Sequence, residues 1–231
     1  MAANQVRSGT LADIPQMADV FAAGFIDDDV FGRFMHPKRR EYPHDWLRHW
    51  NKDLRNHLLS PAVQCYVRVS PDGIVKGCVM MARIGQGGDD KVASESLSHR
   101  LLRQIYVAQD YLESFVWSDR SADHEAMAIF DKNWDDIKHH FSGPRAECWL
   151  IELLCIHPDS QKAGFGREII QTAIDLCKTE NPPIPLCVIA SDAGDAFYEK
   201  LGFREAGRAD VGDLSGVKGG SLKFYEEHLK Q

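Results

Sequence analysis

Apolar residues along this chain follow two different periods, and the first of them predicts β-strands. Seven segments alternate between apolar and polar residues or run apolar almost without a break. They are 6–7, 63–69, 74–84, 148–156, 186–190, a segment starting at 202–203, and 221–225. The turn sequence Ser70-Pro71-Asp72-Gly73 joins the second and third segments, so we expect a hairpin there. The unbroken apolar runs at 148–156 and 186–190 are typical of strands covered by helices on both faces.

In the second period, apolar residues recur every three or four positions, which predicts helices. This period covers 11–25, 45–59 and 164–178, and a short helix that ends at 201. Thr10 and Asp45 are predicted to cap the first two helices. Ser191 or Asp192 is predicted to cap the short one.

A long helical segment separates the hairpin from the strand at 148–156. Residues 93–116 and 122–141 both have helical character, and they delay the next strand far beyond a usual connection within a domain. We interpret residues 86–146 as a helical insertion. The chain of 231 residues is then one domain, 1–231, that carries this insertion.

Composition excludes several classes of function. The 27 basic and 34 acidic residues give a net charge of −7, without the basic surplus of a general nucleic-acid binder. No apolar run approaches the ~20 residues of a membrane span, and the first ten residues hold no apolar core of a signal peptide. The six cysteines form no CxxC pair and no Cys/His cluster with zinc spacing. We therefore expect a cytoplasmic protein without a metal and without nucleic-acid or membrane partners.

A glycine-rich turn follows the strand at 148–156 and opens the helix at 164–178. Gly164 and Gly166 let the backbone turn sharply and expose N–H groups, and Lys162 adds a positive charge. A helix N-terminus is also the positive end of a dipole, so the turn suits a pyrophosphate. The alternative is that the two glycines only allow a tight turn and close packing.

Two motifs in this region resemble the GNAT superfamily of acetyl-CoA-dependent N-acetyltransferases. The family signature is a strand, then Gln/Arg-x-x-Gly-x-Gly/Ala, then a helix; here it reads Gln161-Lys162-Ala163-Gly164-Phe165-Gly166. The second marker, Tyr-x-x-x-Gly-Phe, reads Tyr198-Glu199-Lys200-Leu201-Gly202-Phe203. Both occur in the family's order and spacing, and the matching region covers about a quarter of the chain. The helical insertion departs from a minimal family member.

The resemblance implies a mixed α/β (α+β) fold. We expect a mostly antiparallel sheet with a parallel central strand pair that splays to hold acetyl-CoA, and helices on both faces. Backbone groups of Leu154, Cys155 and Ile156 would then bind the pantetheine arm of this co-substrate. The pyrophosphate would be held by the N–H groups of Gln161, Lys162, Ala163, Gly164, Phe165 and Gly166.

Glu152 is the candidate general base. It is the only charged residue of its predicted strand, and strict alternation would place it on one face with Leu150, Leu154 and Ile156. A carboxylate among apolar neighbours has a raised pKa, which suits a proton acceptor. The alternative is a structural ion pair between Glu152 and a basic side chain.

Tyr198 is the candidate general acid. Helical spacing places Ala193, Ala196, Phe197 and Leu201 on the packed face of the short helix, with Tyr198 off that face. The resemblance implies that this tyrosine protonates the CoA thiolate. Ser191 is expected either to contact the pantetheine or to cap the helix.

These inferences predict an N-acetyltransferase that moves the acetyl group of acetyl-CoA to a primary amine by direct attack in a ternary complex. The insertion would narrow the acceptor groove, which favours a small-molecule amine. Two alternatives stay open: a peptide or protein N-acetyltransferase, and an acyl-CoA-binding regulatory module without turnover. Whether the protein forms a homodimer is also left open. A nucleotide-binding domain of another class is disfavoured because the turn lacks the Gly-Lys-Ser/Thr ending of a P-loop.

Overall fold

A single seven-stranded sheet forms the centre of the molecule. The computed structural model describes residues 6–230. The strands are β1 (Val6–Ser8), β2 (Val63–Val69), β3 (Val75–Ile84), β4 (Cys148–Ile156), β5 (Leu186–Ala190), β6 (Arg204–Arg208) and β7 (Ser221–Tyr225). Their order in the sheet is β1-β2-β3-β4-β5-β7-β6. Among these strands β4 and β5 pair in parallel and all other neighbours pair antiparallel, which confirms the predicted fold class.

Seven α-helices accompany the sheet within the described residues. They are α1 (Ile14–Gly24), α2 (Pro43–Leu58), α3 (Gln86–Ala93), α4 (Leu97–Ser114), α5 (His124–Ile137), α6 (Phe165–Thr179) and α7 (Asp195–Lys200). A π-helical turn at Asp29–Phe34, which the sequence pattern did not predict, links α1 to α2. None of the helices in this part of the chain has the length and apolar character needed to cross a membrane.

Two apolar clusters lie on opposite faces of the sheet. On one face, α1 and α2 pack against β2, β3 and β4, with Phe21 and Trp50 stacked at a ring-centroid distance of 5.1 Å. On the other face, α6 buries Ile169, Ile170 and Ala173 against the same sheet. Burial on both sides explains why β4 and β5 are apolar almost throughout.

A β-bulge interrupts β4 in the middle of the sheet. Met80 of β3 pairs with Leu153, and the next residue, Met81, pairs with Ile151. Glu152 is therefore the extra residue that opposes no partner on β3. A bulge of this kind reverses the alternation of side chains along the strand. After the bulge, Leu153 and Cys155 face α1 and α2, while Leu154 faces α6.

The segment predicted as an insertion holds α3, α4 and α5. Helix α4 lies along α2 through charged contacts, with Arg55 bonded to Asp110 and Arg48 Nη2 3.1 Å from Glu113 Oε2. None of its residues is buried, and Leu97, Phe115 and Val116 are largely exposed. Tyr111 is likewise exposed. Helix α5 reaches the other end of the molecule, where Asn133 Nδ2 donates to Ala209 O at 2.9 Å.

The predicted cap of α2 is wrong. The helix begins at Pro43 after Tyr42, because the fixed φ of proline suits the first helical position. The carboxylate of Asp45 instead accepts hydrogen bonds from the guanidinium of Arg120, at 2.7 and 2.9 Å. This ion pair ties the connection between α4 and α5 to the start of α2.

Close packing of α3 on β3 generates a test of the fold. A methyl group on Gly88 would lie 1.9 Å from the backbone oxygen of Arg83, whereas one on Gly87 would meet only the movable Arg83 guanidinium, at 2.5 Å. We expect Gly88→Ala to lower the free energy of unfolding by about 1–3 kcal/mol, the usual cost of overpacking. Gly87→Ala is the matched control in the same helix and should cost less. Urea denaturation of the three proteins measures both effects, and equal stability of the two variants would contradict this packing.

Candidate active site

The parallel strands β4 and β5 separate soon after they meet. They pair at Trp149 with Leu186, Leu150 with Cys187, and Ile151 with Val188, and the ladder ends there. Strand β4 continues to Ile156 along β3, so Leu154, Cys155 and Ile156 all lie beyond the last pair with β5. Buried backbone groups normally have hydrogen-bond partners. This separation therefore leaves an edge of β4 where an extended ligand can pair with the backbone.

The turn before α6 presents free backbone N–H groups. From Lys162 to Arg167, no backbone N–H donates a hydrogen bond to a described residue; the first to do so is that of Glu168, to Gly164 O at 3.1 Å. Gln161 is held beside the end of β4, with its side-chain amide 3.2 Å from Ile156 O. Free N–H groups at a helix N-terminus bind anions. Five of the six predicted turn residues, Lys162 to Gly166, thus form one candidate anion site, whereas the N–H of Gln161 already donates to Pro158 O at 3.3 Å.

The two glycines of this turn have different structural roles. Gly164 has φ 87°, a left-handed conformation, and a methyl group there would meet nothing within 4 Å. Conformation is therefore the reason for glycine at this position. A methyl group on Gly166 would lie 3.2 Å from the ring of Phe197, so Gly166 allows α6 and α7 to approach closely.

Glu152 lies at the bulge of β4, and its side chain faces α2. Its side chain is 31% exposed, and Oε2 lies 3.4 Å from His57 Nε2. Leu150 shares this face, but Leu154 and Ile156 lie on the opposite one. The predicted face is thus wrong for those two residues, because the bulge reverses the alternation. Burial raises the pKa of the Glu152 carboxyl, the charge of His57 offsets part of this rise, and Asp53 adds to it.

His57 and Asp53, which the sequence analysis missed, complete this cluster. His57 Nδ1 lies 2.9 Å from the backbone oxygen of Asp53 and 3.5 Å from its Oδ2. Burial lowers the pKa of His57, but the charges of Asp53 and Glu152 outweigh it and hold this pKa above its ordinary value. The only feature of the sequence that could have indicated this pair is the i, i+4 spacing of Asp53 and His57 on α2. Their proximity to Glu152 depends on the tertiary structure.

Tyr198 is the one buried residue of α7, with 5% of its surface exposed. The predicted packed face of this helix is wrong, since Ala193 and Ala196 are exposed. The Tyr198 ring packs edge-to-face against Phe197 and Phe203, with centroids 5.2 Å away in each case. Its hydroxyl has no hydrogen-bond partner among residues 6–230. Burial raises the pKa of Tyr198 well above its ordinary value, so the hydroxyl keeps its proton at neutral pH.

Ser191 closes the turn between β5 and α7 and is not the cap of the helix. The N-cap is Gly194, whose N–H donates to Ser191 Oγ at 3.3 Å. Asp192 is exposed and does not cap the helix either. The loop before β7 packs closely on this turn. A methyl group on Gly219 of that loop would lie only 2.9 Å from the backbone nitrogen of Asp192.

The acidic run at 27–29 is held by neighbouring residues. Arg40 donates to both carboxylate oxygens of Asp27, at 2.9 and 3.0 Å. Asp28 caps the π-helical turn through the N–H groups of Val30 and Phe31. Asp29 pairs with Arg33. These contacts give the run a structural role.

The six cysteines are all buried and free of disulfides. Burial raises the pKa of Cys65, Cys148 and Cys155 to about 12 in each case. The pKa of the remaining three thiols is raised as well. A thiol becomes a good nucleophile only as the thiolate, so none of the six is suited to attack a thioester.

Known proteins resemble this chain most clearly in the region that holds β4, the glycine-rich turn and Tyr198. The family model described as the acetyltransferase (GNAT) domain matches residues 140–213, which include β4, the glycine-rich turn and the Tyr198 motif. Over these residues the chain matches a GNAT acetyltransferase domain. A protein named acetyltransferase from Stachybotrys chartarum is 22% identical over 223 residues, which cover 93% of this chain and 86% of that protein.

Solved structures share the GNAT fold along nearly the whole chain. One is described as histone acetyltransferase HPA2 and related acetyltransferase from Corynebacterium glutamicum. It has a TM-score of 0.57 and 15% identity, and the match covers 95% of this chain and 93% of that one. Another is the PaiA N-acetyltransferase from Thermoplasma acidophilum in complex with coenzyme A. It has a TM-score of 0.53 and 11% identity, and the match covers 95% of this chain and 96% of that one. At these identities the likeness concerns the fold.

The contact between Glu152 and His57 generates a measurable prediction. We expect the pKa of Glu152 to lie above the ordinary glutamate value, and to rise further in His57→Gln because a neighbouring positive charge is lost. NMR titration of the 13C-labelled carboxyl measures both values. Glu152→Gln assigns the signal by removing it. A fall of this pKa in His57→Gln would contradict the arrangement.

Proposed function

We propose that this GNAT protein transfers the acetyl group of acetyl-CoA to a primary amine of a small molecule. The observation that carries the proposal is the separation of β4 from β5 next to the free N–H groups of residues 162–167. The first feature suits the amide groups of a pantetheine arm, and the second suits a pyrophosphate. Both occur within the region matched by the GNAT family model.

Leu154, Cys155 and Ile156 are proposed to bind the pantetheine through their backbone. The N–H groups from Lys162 to Gly166 are proposed to hold the pyrophosphate, while Gln161 fixes the start of the turn through its side-chain hydrogen bond to Ile156 O. Lys162 adds a positive side chain to the turn itself. The guanidinium of Arg68, which is paired with Glu168 at 2.6 Å, lies 4.1 Å from the ring centroid of Phe165. Backbone donors tolerate different side chains, which explains why Ala163 and Phe165 need no special chemistry.

Glu152 is proposed to take the proton that the amine releases, directly or through a water. The amine nitrogen attacks the thioester carbonyl carbon, and the new C–N bond makes the nitrogen acidic. A carboxylate with a raised pKa is a suitable acceptor for that proton. Asp53, His57 and Glu152 are each about 27–32% exposed at the side chain, so a cationic amine can approach this acidic cluster from solvent. It must lose one proton to water before the neutral nitrogen attacks, and Glu152 takes the second proton after the C–N bond has formed.

Tyr198 is proposed to donate a proton to the sulfur when the C–S bond breaks. Its hydroxyl is protonated and is not used by another described residue. Ser191 closes the turn that precedes α7 and so positions the helix that carries Tyr198. The hydroxyl recovers its proton from solvent after the products leave.

Direct transfer in a ternary complex is favoured over an acyl-enzyme. An acyl-enzyme on sulfur would need a thiolate, and burial raises the pKa of all six cysteines. A small acceptor is favoured because α4 lies along α2, the helix that carries Asp53 and His57. The inserted helices therefore limit the space on the acceptor side.

Binding of acetyl-CoA can be tested at the glycine-rich turn. Gly164 and Gly143 both have positive φ and open space where a methyl group would be added, so alanine strains the backbone similarly at both. We expect Gly164→Ala to weaken acetyl-CoA binding about tenfold or more, which corresponds to ~1.4 kcal/mol. Gly143→Ala should bind like the wild type. Calorimetric titration measures the three dissociation constants; no binding by the wild type, or equal loss in both variants, would refute the cofactor site.

The rate of acetyl transfer tests the proposed roles of Glu152 as base and Tyr198 as acid. We expect Tyr198→Phe and Glu152→Gln each to lower kcat by about 10²–10⁴-fold, the usual contribution of general acid–base catalysis, while acetyl-CoA still binds. Tyr225→Phe in β7 is the matched control and should keep its rate. Release of free thiol in the presence of a panel of amines is the assay. Binding without turnover on any small or peptide amine would favour the regulatory module, and turnover on peptides alone would favour a protein acetyltransferase.

A further inference from the structure

Three side chains with metal-binding atoms meet beside α2, away from Glu152 in sequence. His36 follows the π-helical turn, His49 lies in the middle of α2, and Asp119 lies in the connection between α4 and α5. One nitrogen of each histidine and one carboxylate oxygen of Asp119 all lie within 4.8 Å of one another. Three separate parts of the chain therefore converge on one point.

His36 provides an unpartnered acceptor in this cluster. The residue is fully buried, and its Nδ1 lies 2.9 Å from the backbone oxygen of Phe31. A carbonyl only accepts hydrogen bonds, so Nδ1 of the neutral ring carries the proton and Nε2 keeps a free lone pair. Nε2 is buried and has no hydrogen-bond partner among the described residues. A backbone carbonyl that fixes the tautomer in this way is typical of metal-binding histidines.

Asp119 is oriented by a neighbouring serine. Its Oδ1 accepts from the backbone N–H of Ser121 at 2.9 Å and from the Ser121 hydroxyl at 2.6 Å. Its Oδ2 remains for the cluster and lies 3.7 Å from His36 Nε2 and 3.8 Å from His49 Nδ1. These distances are too long for hydrogen bonds. They are close to the ~3.3–3.5 Å between neighbouring ligand atoms around a tetrahedral zinc ion.

His49 packs against two other rings beside the cluster. The ring of His49 lies parallel to Trp46 and 4.2 Å from the ring of His36, measured between centroids.

We propose that His36 Nε2, His49 Nδ1 and Asp119 Oδ2 bind one divalent transition-metal ion of the Zn²⁺ type. Two imidazole nitrogens favour such an ion over Mg²⁺ or Ca²⁺, which prefer oxygen ligands. A water molecule would complete a tetrahedral set. The sequence predicted no metal, because the ligands are 13 and 70 residues apart and show no regular spacing.

The ion would tie the helical insertion to the rest of the GNAT domain. The segments that carry His36 and Asp119 already exchange backbone hydrogen bonds, from Lys38 N to Ser121 O at 3.2 Å and from Asp123 N to Met35 O at 2.8 Å. Asp45 and Arg120 hold the same connection to α2. The ligands are therefore positioned before an ion binds, and the expected role of the ion is structural.

Metal titration of the tag-free protein tests this site without any activity assay. The protein is stripped with a chelator, dialysed, and titrated with Zn²⁺ and, separately, with Mg²⁺ by calorimetry. We expect one equivalent of Zn²⁺ to bind in the micromolar range or more tightly and to raise the melting temperature, with no such effect of Mg²⁺. Bound Co²⁺ should show the visible absorption of tetrahedral nitrogen and oxygen coordination.

Variants locate the bound ion. Asp119→Asn keeps an oxygen for Ser121 and removes the negative ligand, and His49→Gln removes one imidazole; each should weaken Zn²⁺ binding at least tenfold. The adjacent surface pair His139 and His140, with ring centroids 3.9 Å apart, is the control. Replacing both with glutamine should leave binding unchanged. The proposal is overturned if the wild type binds no Zn²⁺, if Asp119→Asn and His49→Gln bind it normally, or if the control variant loses it.

Discussion

The candidate site depends on two changes in the pairing of β4 that occur at adjacent residues. The strand loses its parallel partner β5 after Ile151, and at Glu152 it gains an extra residue opposite β3. Backbone polar groups without partners are costly in a protein interior, so such an edge is stable only beside water or a ligand. The first change opens a place for an extended ligand. The second occurs at Glu152, whose carboxylate lies on the side of α2 where His57 and Asp53 are found.

Helix α2 carries the polar chemistry on that side of the sheet. His49, Asp53 and His57 follow one another at intervals of four residues, so they lie along one face of the helix. Asp53 and His57 belong to the proposed acceptor side, and His49 belongs to the proposed metal site. The same helix buries Trp46, Trp50 and Leu54 in the apolar cluster. Packing of the apolar face therefore positions two sets of polar groups at once.

Burial decides which of the reactive side chains can take part in chemistry. It raises the pKa of each cysteine and of Tyr198, but the consequences differ. A buried thiol that keeps its proton is a poor nucleophile, whereas a buried phenol that keeps its proton remains a donor. Glu152 is partly open to solvent and has a raised pKa, so it can exchange protons with a substrate.

The sequence by itself determined the strands, the longer helices, the glycine-rich turn and the GNAT resemblance, because these follow from local periods and contiguous motifs. Periodicity predicted β4 and β5 with the bounds that the structure has. Only the tertiary structure decided that Leu154 and Ile156 lie on the face opposite Glu152, since one bulged residue reverses every side chain after it. It also decided that Tyr198 is the buried residue of α7. The meeting of Glu152 with His57, and of His36 with Asp119, joins residues 95 and 83 positions apart, and no local pattern encodes such contacts.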